Sequence, residues 1–136
     1  MKEKLNNIIV AESEALRELI ALLDEQSNLA MKDDFIGLDA IVTKIDSCNK
    51  KIAELEMNRR AITNGEDMSK VVAKFQDEEL NNNYRQIKLL VQEAMVQKDF
   101  NMDFIKQGLN FSNRMLSIIN PDRGIKTYNS NGKMKR

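Results

Sequence analysis

Apolar residues recur every three or four positions through the first half of the chain. Over residues 3–31 this repeat is interrupted by Glu12 and Gln26, and over residues 34–63 it is interrupted by Arg59. Such spacing predicts two amphipathic helices that pack as a left-handed coiled coil or bundle. The apolar seam positions are Leu5, Ile9, Leu16, Leu19, Leu23 and Ala30 in the first helix, and Leu38, Ile41, Ile45, Cys48, Ile52, Leu55 and Ile62 in the second.

A short helix and a long one are predicted after the turn formed by Asn64 and Gly65. Asp67 or Ser69 can cap a short helical piece over 68–75, and Asp77 can cap a helix that runs to 120, because Pro121 ends it. The seam of the long helix slips at Lys98, which predicts a stutter. This seam is formed by Leu80, Tyr84, Ile87, Val91 and Ala94, and then by Met102, Ile105, Leu109, Ser112, Leu116 and Ile119.

These elements predict an all-α fold. We expect an elongated antiparallel helical hairpin or three-helix coiled-coil-like bundle, with a long C-terminal helix and a flexible tail. Residues 1–120 would form a single helical domain, with helices at about 3–31, 34–63, 68–75 and 77–120. Residues 121–136, in which Ile125 and Tyr128 are the sizeable apolar groups, would form a mobile tail.

The last part of the long helix carries a second apolar stripe. At 100° per residue it lies about 125° from the seam, and Gly108 at its edge would leave a notch. Two interpretations stay open. Three-helix packing would make its phenylalanines ordinary core, whereas an uncovered stripe would form a groove for a partner's amphipathic helix. The members of the stripe are Phe100, Phe104, Phe111, Met115 and Ile118.

The charge balance limits the classes of partner. Twenty-one basic residues balance 21 acidic ones in 136 residues, whereas a general binder of nucleic acid or membrane surfaces needs a positive excess. No apolar run approaches the length of a membrane span, and Met1–Leu5 lack a secretory pattern. We therefore expect a cytoplasmic protein that neither binds nucleic acid nor inserts into a membrane. The single cysteine, Cys48, forms no intramolecular disulfide and is best explained as a small buried hydrophobe.

Candidate catalytic chemistry is sparse. Histidine is absent, which removes imidazole bases and most zinc sites. The five glycines are scattered and form no phosphate-binding loop, and the carboxylates are typical of solvated helix faces. The sequence predicts no enzyme, no cofactor and no metal site.

The C-terminal third resembles a known family. The run from Phe100 to Pro121, with its Asn101, its spaced Leu and Phe residues and its helix stop, is similar to the end of FlgN-type flagellar export chaperones. The tail from Thr127 to Gly132 is similar to theirs as well. The resemblance implies a cytoplasmic chaperone of the flagellar type III secretion system. It would bind the C-terminal amphipathic region of hook-associated proteins, prevent their premature polymerisation and present them to the export apparatus.

The same resemblance implies where the client binds. Gly108 departs from the small polar residue expected in the family pattern. The alternative is a structural coiled-coil protein that self-assembles through the same stripe, and a homodimer stays open. The implied client-binding residues are Phe100, Asn101, Phe104, Leu109, Phe111, Met115, Leu116 and Ile118, with Ile125 and Tyr128 in the tail.

Overall fold

The computed structural model describes residues 1–119, 127–128 and 134–135, without the side chains of 109–113, 116, 119 and the two strands. Its internal contacts divide the chain into two compact units, Met1–Asp99 and Phe100–Arg136. The elements in chain order are α1 (Lys2–Met31), α2 (Phe35–Ile62), α3 (Met68–Phe75), α4 (Glu78–Ile119), β1 (Thr127–Tyr128) and β2 (Met134–Lys135). The two strands pair antiparallel, with Thr127 opposite Lys135 and Tyr128 opposite Met134.

An aspartate caps the start of each of the last three helices. The Asp34 carboxylate accepts a hydrogen bond from the Gly37 N–H at 2.9 Å, and Asp67 accepts one from the Ser69 N–H at 3.1 Å. Asp77 accepts one from the N–H of Leu80 at 3.1 Å. Each bond satisfies one of the backbone donors left free at a helix start. The caps predicted from sequence at Asp67 and Asp77 are therefore confirmed, and Asp34 caps α2 in the same way.

Left-handed residues end the first three helices. Asp33 follows α1 with φ 54°, Asn64 and Gly65 follow α2 with φ 52° and 75°, and Gln76 follows α3 with φ 49°. Glycine adopts this conformation freely, and Asn and Asp tolerate it better than most residues. The chain can therefore reverse direction within a few residues at these three points.

The helices α1 and α2 run antiparallel. Residues late in α1 lie beside residues early in α2, since a Cβ added to Gly37 would come within 2.7 Å of Leu29 Cδ2. Residues early in α1 lie beside residues late in α2, since Glu12 Oε1 is 2.8 Å from Arg59 Nε. Gly37 is therefore a point of close approach, where a larger residue would have to displace the Leu29 side chain and the Asp34 carboxylate that caps α2.

The core of the first unit joins all four helices. Its fully closed centre contains Leu5 of α1 and Leu80 of α4, with Val71 and Val72 of α3 buried in the same cluster. The cluster continues along α1 and α4 through Ile9, Leu16, Ile87 and Leu90, and Ile52 and Ile62 of α2 pack against it. The short helix α3 thus closes the end of the α1–α2 pair where α4 begins.

The buried positions of α4 correct the predicted seam. Leu80, Ile87, Ala94 and Asn101 are buried and follow one another at intervals of seven residues. Met102, where the shifted seam would resume, is 60% exposed, while Asn101 is 2% exposed. The predicted burial of Met102 is therefore wrong, and the buried amide at position 101 keeps the heptad spacing, although seam positions are usually apolar. Ile105 of the shifted seam is half-buried, and the side chains of 109, 112, 116 and 119 lie outside the described residues, so the rest of the predicted slip stays a prediction.

The fold class is confirmed as an all-α helical bundle with a long C-terminal helix. In the part of the chain that the structure describes, no helix has the length and hydropathy needed to cross a membrane. The assignment of 1–120 to a single domain stays a prediction. So does the mobile tail, because residues 120–126, 129–133 and 136 lie outside the described residues.

Candidate apolar binding surface

Five large apolar side chains are exposed among the described residues of the second half of α4, and all of them except Met102 lie close together around the helix. Phe100 is 51% exposed, Phe104 37%, Met115 42% and Ile118 74%. At 100° per residue these positions fall on one face of the helix. We call them the α4 apolar surface. For these side chains the structure shows a stripe open to solvent instead of the ordinary core that the sequence left as an alternative.

The two phenylalanines of this surface are stacked. Their ring centroids are 6.1 Å apart, and the ring planes differ by 18°. Residues four apart are neighbours on a helix surface, so each ring restricts the other. Aromatic pairs at this distance stabilise each other beyond the area that they bury. The pair forms an apolar platform on α4.

The other predicted site residues are placed less fully. Leu109, Phe111 and Leu116 belong to α4, but their side chains lie outside the described residues. Tyr128 is described only as part of β1, and Ile125 lies outside the described residues. Asn101 is 2% exposed, so its amide is closed off from solvent while its neighbour Phe100 is open. The structure therefore brings Phe100, Phe104, Met115 and Ile118 onto one exposed face and places Asn101 away from it.

The space beside Gly108 of α4 is open. A Cβ added there meets no atom within 4 Å. We therefore expect Gly108→Ala to raise the free energy of unfolding by about 0.5–1 kcal/mol, because alanine loses less backbone entropy in a helix. Thermal unfolding followed by circular dichroism would measure the change. A loss of stability would contradict the open environment of Gly108.

A cavity of about 430 Å³ opens in the first unit, between α1, α2, α3 and α4. Its walls are mostly apolar and include Ile9, Ile52 and Ile87. Glu12 and Arg59 line the same cavity, and their charged groups pair with each other at 2.8 Å. Burial raises the pKa of the Glu12 carboxyl, and the Arg59 guanidinium partly offsets that effect. This pair is structural, because it joins α1 to α2.

The described residues show no metal-binding chemistry. No group of three or more His, Cys, Asp or Glu side chains in residues 1–119 or the two strands is placed to hold a metal ion. The chemistry available on the α4 apolar surface is contact between apolar side chains, with polar residues such as Asp103 and Lys106 exposed around it. A surface of this kind fits the apolar face of another helix.

The fold and this surface define a class of protein, namely the all-α bundles that present an apolar helix face. The family model described as FlgN protein matches residues 1–136, and the chain therefore belongs to the FlgN family, the flagellar export chaperones. The resemblance seen in the C-terminal third is thus confirmed over the whole sequence. No curated protein and no solved structure matches the chain.

Proposed function

We propose that this flagellar export chaperone binds the C-terminal amphipathic region of hook-associated proteins in the cytoplasm. It prevents their premature polymerisation and presents them to the export apparatus. The observation that carries the proposal is the exposure of Phe100, Phe104, Met115 and Ile118 along one face of α4.

The physical argument rests on complementary stripes. An amphipathic segment that is free in solution tends to associate with further copies through its apolar face. A chaperone that covers this face with an apolar stripe of its own prevents that association. Specific interfaces bury about 800 Å² on each partner, and a few aromatic residues supply most of the affinity. The stacked Phe100 and Phe104 rings suit the role of such anchors.

The remaining predicted residues keep their place in the proposal. Leu109, Phe111 and Leu116 would lengthen the contact along α4, and Ile125 and Tyr128 would add to it from the tail. Asn101 enters as a buried polar position that fixes register, since a residue that is 2% exposed is not available to a client.

The decisive test replaces both rings of the platform. We expect Phe100→Ser with Phe104→Ser to weaken binding to a purified hook-associated protein by at least about 30-fold, because two aromatic anchors are lost. Titration calorimetry would measure the dissociation constant, and circular dichroism would check that the variant stays helical. Met102→Ser is the matched control. Met102 is 60% exposed on a different face of α4, and its replacement should leave the affinity nearly unchanged.

The outcomes separate the site from the function. Unchanged affinity in the double variant would show that the client contacts other residues. Failure of the unaltered chain to bind any hook-associated protein would contradict the proposed function. Light scattering over a range of concentrations tests the alternative, self-assembly through the same surface. In that case the mean mass of the particles in solution would rise with the concentration of the unaltered chain, and it would not rise with that of the double variant.

A further inference from the structure

Two exposed charges of opposite sign border the α4 apolar surface. From Phe100 onwards α4 contains three charged residues, Asp103, Lys106 and Arg114, and all three are exposed. Asp103 lies three residues after Phe100 and Arg114 lies four residues before Ile118, so each neighbours an apolar member of the surface. At 100° per residue Asp103 and Arg114 lie in directions about 20° apart, whereas Lys106 lies about 60° further from the surface. One border of the surface therefore carries an acid near one end and a base near the other.

These two charges are available to a bound partner. Neither Asp103 nor Arg114 forms an ion pair within the part of the chain that the structure describes. At 1.5 Å per residue they stand about 16 Å apart along α4, which is too far for them to neutralise each other. A second helix that lies along the surface passes both of them. Charges at the rim of an interface govern orientation and the choice of partner more than they govern affinity.

The order of the two charges favours one direction for a bound helix. Such a helix needs a basic residue beside Asp103 and an acidic residue beside Arg114. If it runs antiparallel to α4, the acidic residue lies near its N-terminus and the basic residue near its C-terminus. This order agrees with the macrodipole of the bound helix, which favours acids in the first turn and bases in the last. A parallel helix would need the reverse order, against its own dipole.

We propose that the amphipathic segment of the client binds antiparallel to α4, with a basic residue beside Asp103 and an acidic residue beside Arg114. This inference rests on the proposed function, because it specifies the client segment that the same surface accepts. The segment is a helix with one apolar face, an acidic residue beside that face in its first turn, and a basic residue about eleven positions later. A segment with the reverse order meets like charges at both places in this orientation.

Two synthetic peptides test the order of the charges. Both copy the apolar face of the C-terminal region of a purified hook-associated protein and have the same composition, but one has the acidic residue first and the other has the basic residue first. We expect the acid-first peptide to bind the unaltered chain about ten-fold more tightly in fluorescence anisotropy. The exchange of Asp103→Arg with Arg114→Asp should reverse this preference, because it reverses the order of charges on α4.

Two single variants separate the position of a charge from the net charge of the chain. Arg114→Glu and Lys106→Glu change the net charge by the same amount, but only Arg114 borders the surface. We expect Arg114→Glu to weaken binding of the acid-first peptide by several-fold, and Lys106→Glu to leave it nearly unchanged. Circular dichroism would check that both variants stay helical.

The outcomes distinguish the orientation from the function. Equal affinities for the two peptides, binding of neither, or preference for the base-first peptide would overturn the proposed orientation. Failure of the unaltered chain to bind the complete hook-associated protein would instead remove the proposed function. A second copy of the chain lying antiparallel would also bring Asp103 beside Arg114, so light scattering is measured without peptide. A dimer that Arg114→Glu dissociates would assign these charges to self-association and overturn the proposal.

Discussion

Replacing Arg59 by methionine is expected to lower the free energy of unfolding by about 3–5 kcal/mol at pH 7. The side chain of Glu12 is 5% exposed and that of Arg59 is 18% exposed, so their ion pair at 2.8 Å is largely shielded from water. Methionine keeps most of the bulk of arginine but leaves the Glu12 carboxylate buried without its cation. Urea unfolding followed by circular dichroism would measure the loss.

A double variant shows how much of the loss comes from leaving the Glu12 charge unpaired. Glu12→Leu combined with Arg59→Met replaces the whole pair by apolar groups, and such replacements are often neutral or stabilising. We expect the double variant to recover to within about 1 kcal/mol of the unaltered chain. If the single Arg59→Met variant were as stable as the unaltered chain, the pair would have no structural role between α1 and α2.

The pH dependence of the single variant has a definite sign. Burial raises the pKa of Glu12, so the folded state holds this proton more tightly than the unfolded state. Such a group favours folding at low pH, and this contribution is lost as the pH rises through the raised pKa. Removing Arg59 removes a group that lowers this pKa. The loss in free energy of unfolding caused by Arg59→Met should therefore be largest at neutral pH and shrink on acidification. The double variant should show no such dependence on pH.

Leu80→Ala is expected to destabilise the fold by about 2–5 kcal/mol. Leu80 is 0% exposed at the start of α4, in the cluster that also contains Leu5, Val71 and Val72. Alanine would leave a cavity where α1, α3 and α4 meet, and the surrounding side chains relax only partly into such a space. The melting temperature from calorimetry would report the loss.

A matched substitution on the same helix serves as the control. Leu89 is 61% exposed, so Leu89→Ala should change the free energy of unfolding by no more than about 0.5 kcal/mol. Equal effects at the two positions would mean that α4 is not docked through Leu80.

The sequence predicted most of the fold because local rules governed it. The helix caps follow from single aspartates with a defined hydrogen-bond geometry, and the α1–α2 seam follows from regular apolar spacing. The two charged interruptions of that seam, Glu12 and Arg59, proved to be partners. An antiparallel pair brings residues from opposite ends of the two helices together, so one charge on each seam can neutralise the other.

The burial of Met102 was predicted wrongly for a specific reason. Two neighbouring residues, Asn101 and Met102, compete for the buried position, and apolar preference selects Met102. The structure buries Asn101, whose position continues the heptad of Leu80, Ile87 and Ala94. Residue preference and regular spacing disagree there, and only the packed structure decides between them.

The sequence pattern likewise could not show which apolar side chains stay exposed to solvent. The sequence placed Phe100 and Phe104 on a second stripe but left open whether packing covered it. The pattern also carried a signal for the exposed Phe35 and Ile36, which sequence reasoning passed over. Phe35 and Ile36 directly follow the cap Asp34 and precede the seam, which begins at Leu38. Two large apolar residues between a cap and the first seam position have no place in the core, and that observation could have identified them.

The buried thiol of Cys48 is a natural probe of the separation of α1 and α2. The residue is 3% exposed, and its thiol donates a hydrogen bond to the Ala15 carbonyl at 3.3 Å, across the boundary between α1 and α2. Burial also raises the pKa of the thiol, so little of it is the reactive thiolate. A thiol reagent therefore reaches Cys48 only when α1 and α2 separate. Since this is the only cysteine in the sequence, the rate of modification reads out how often the two helices part, without any engineered label.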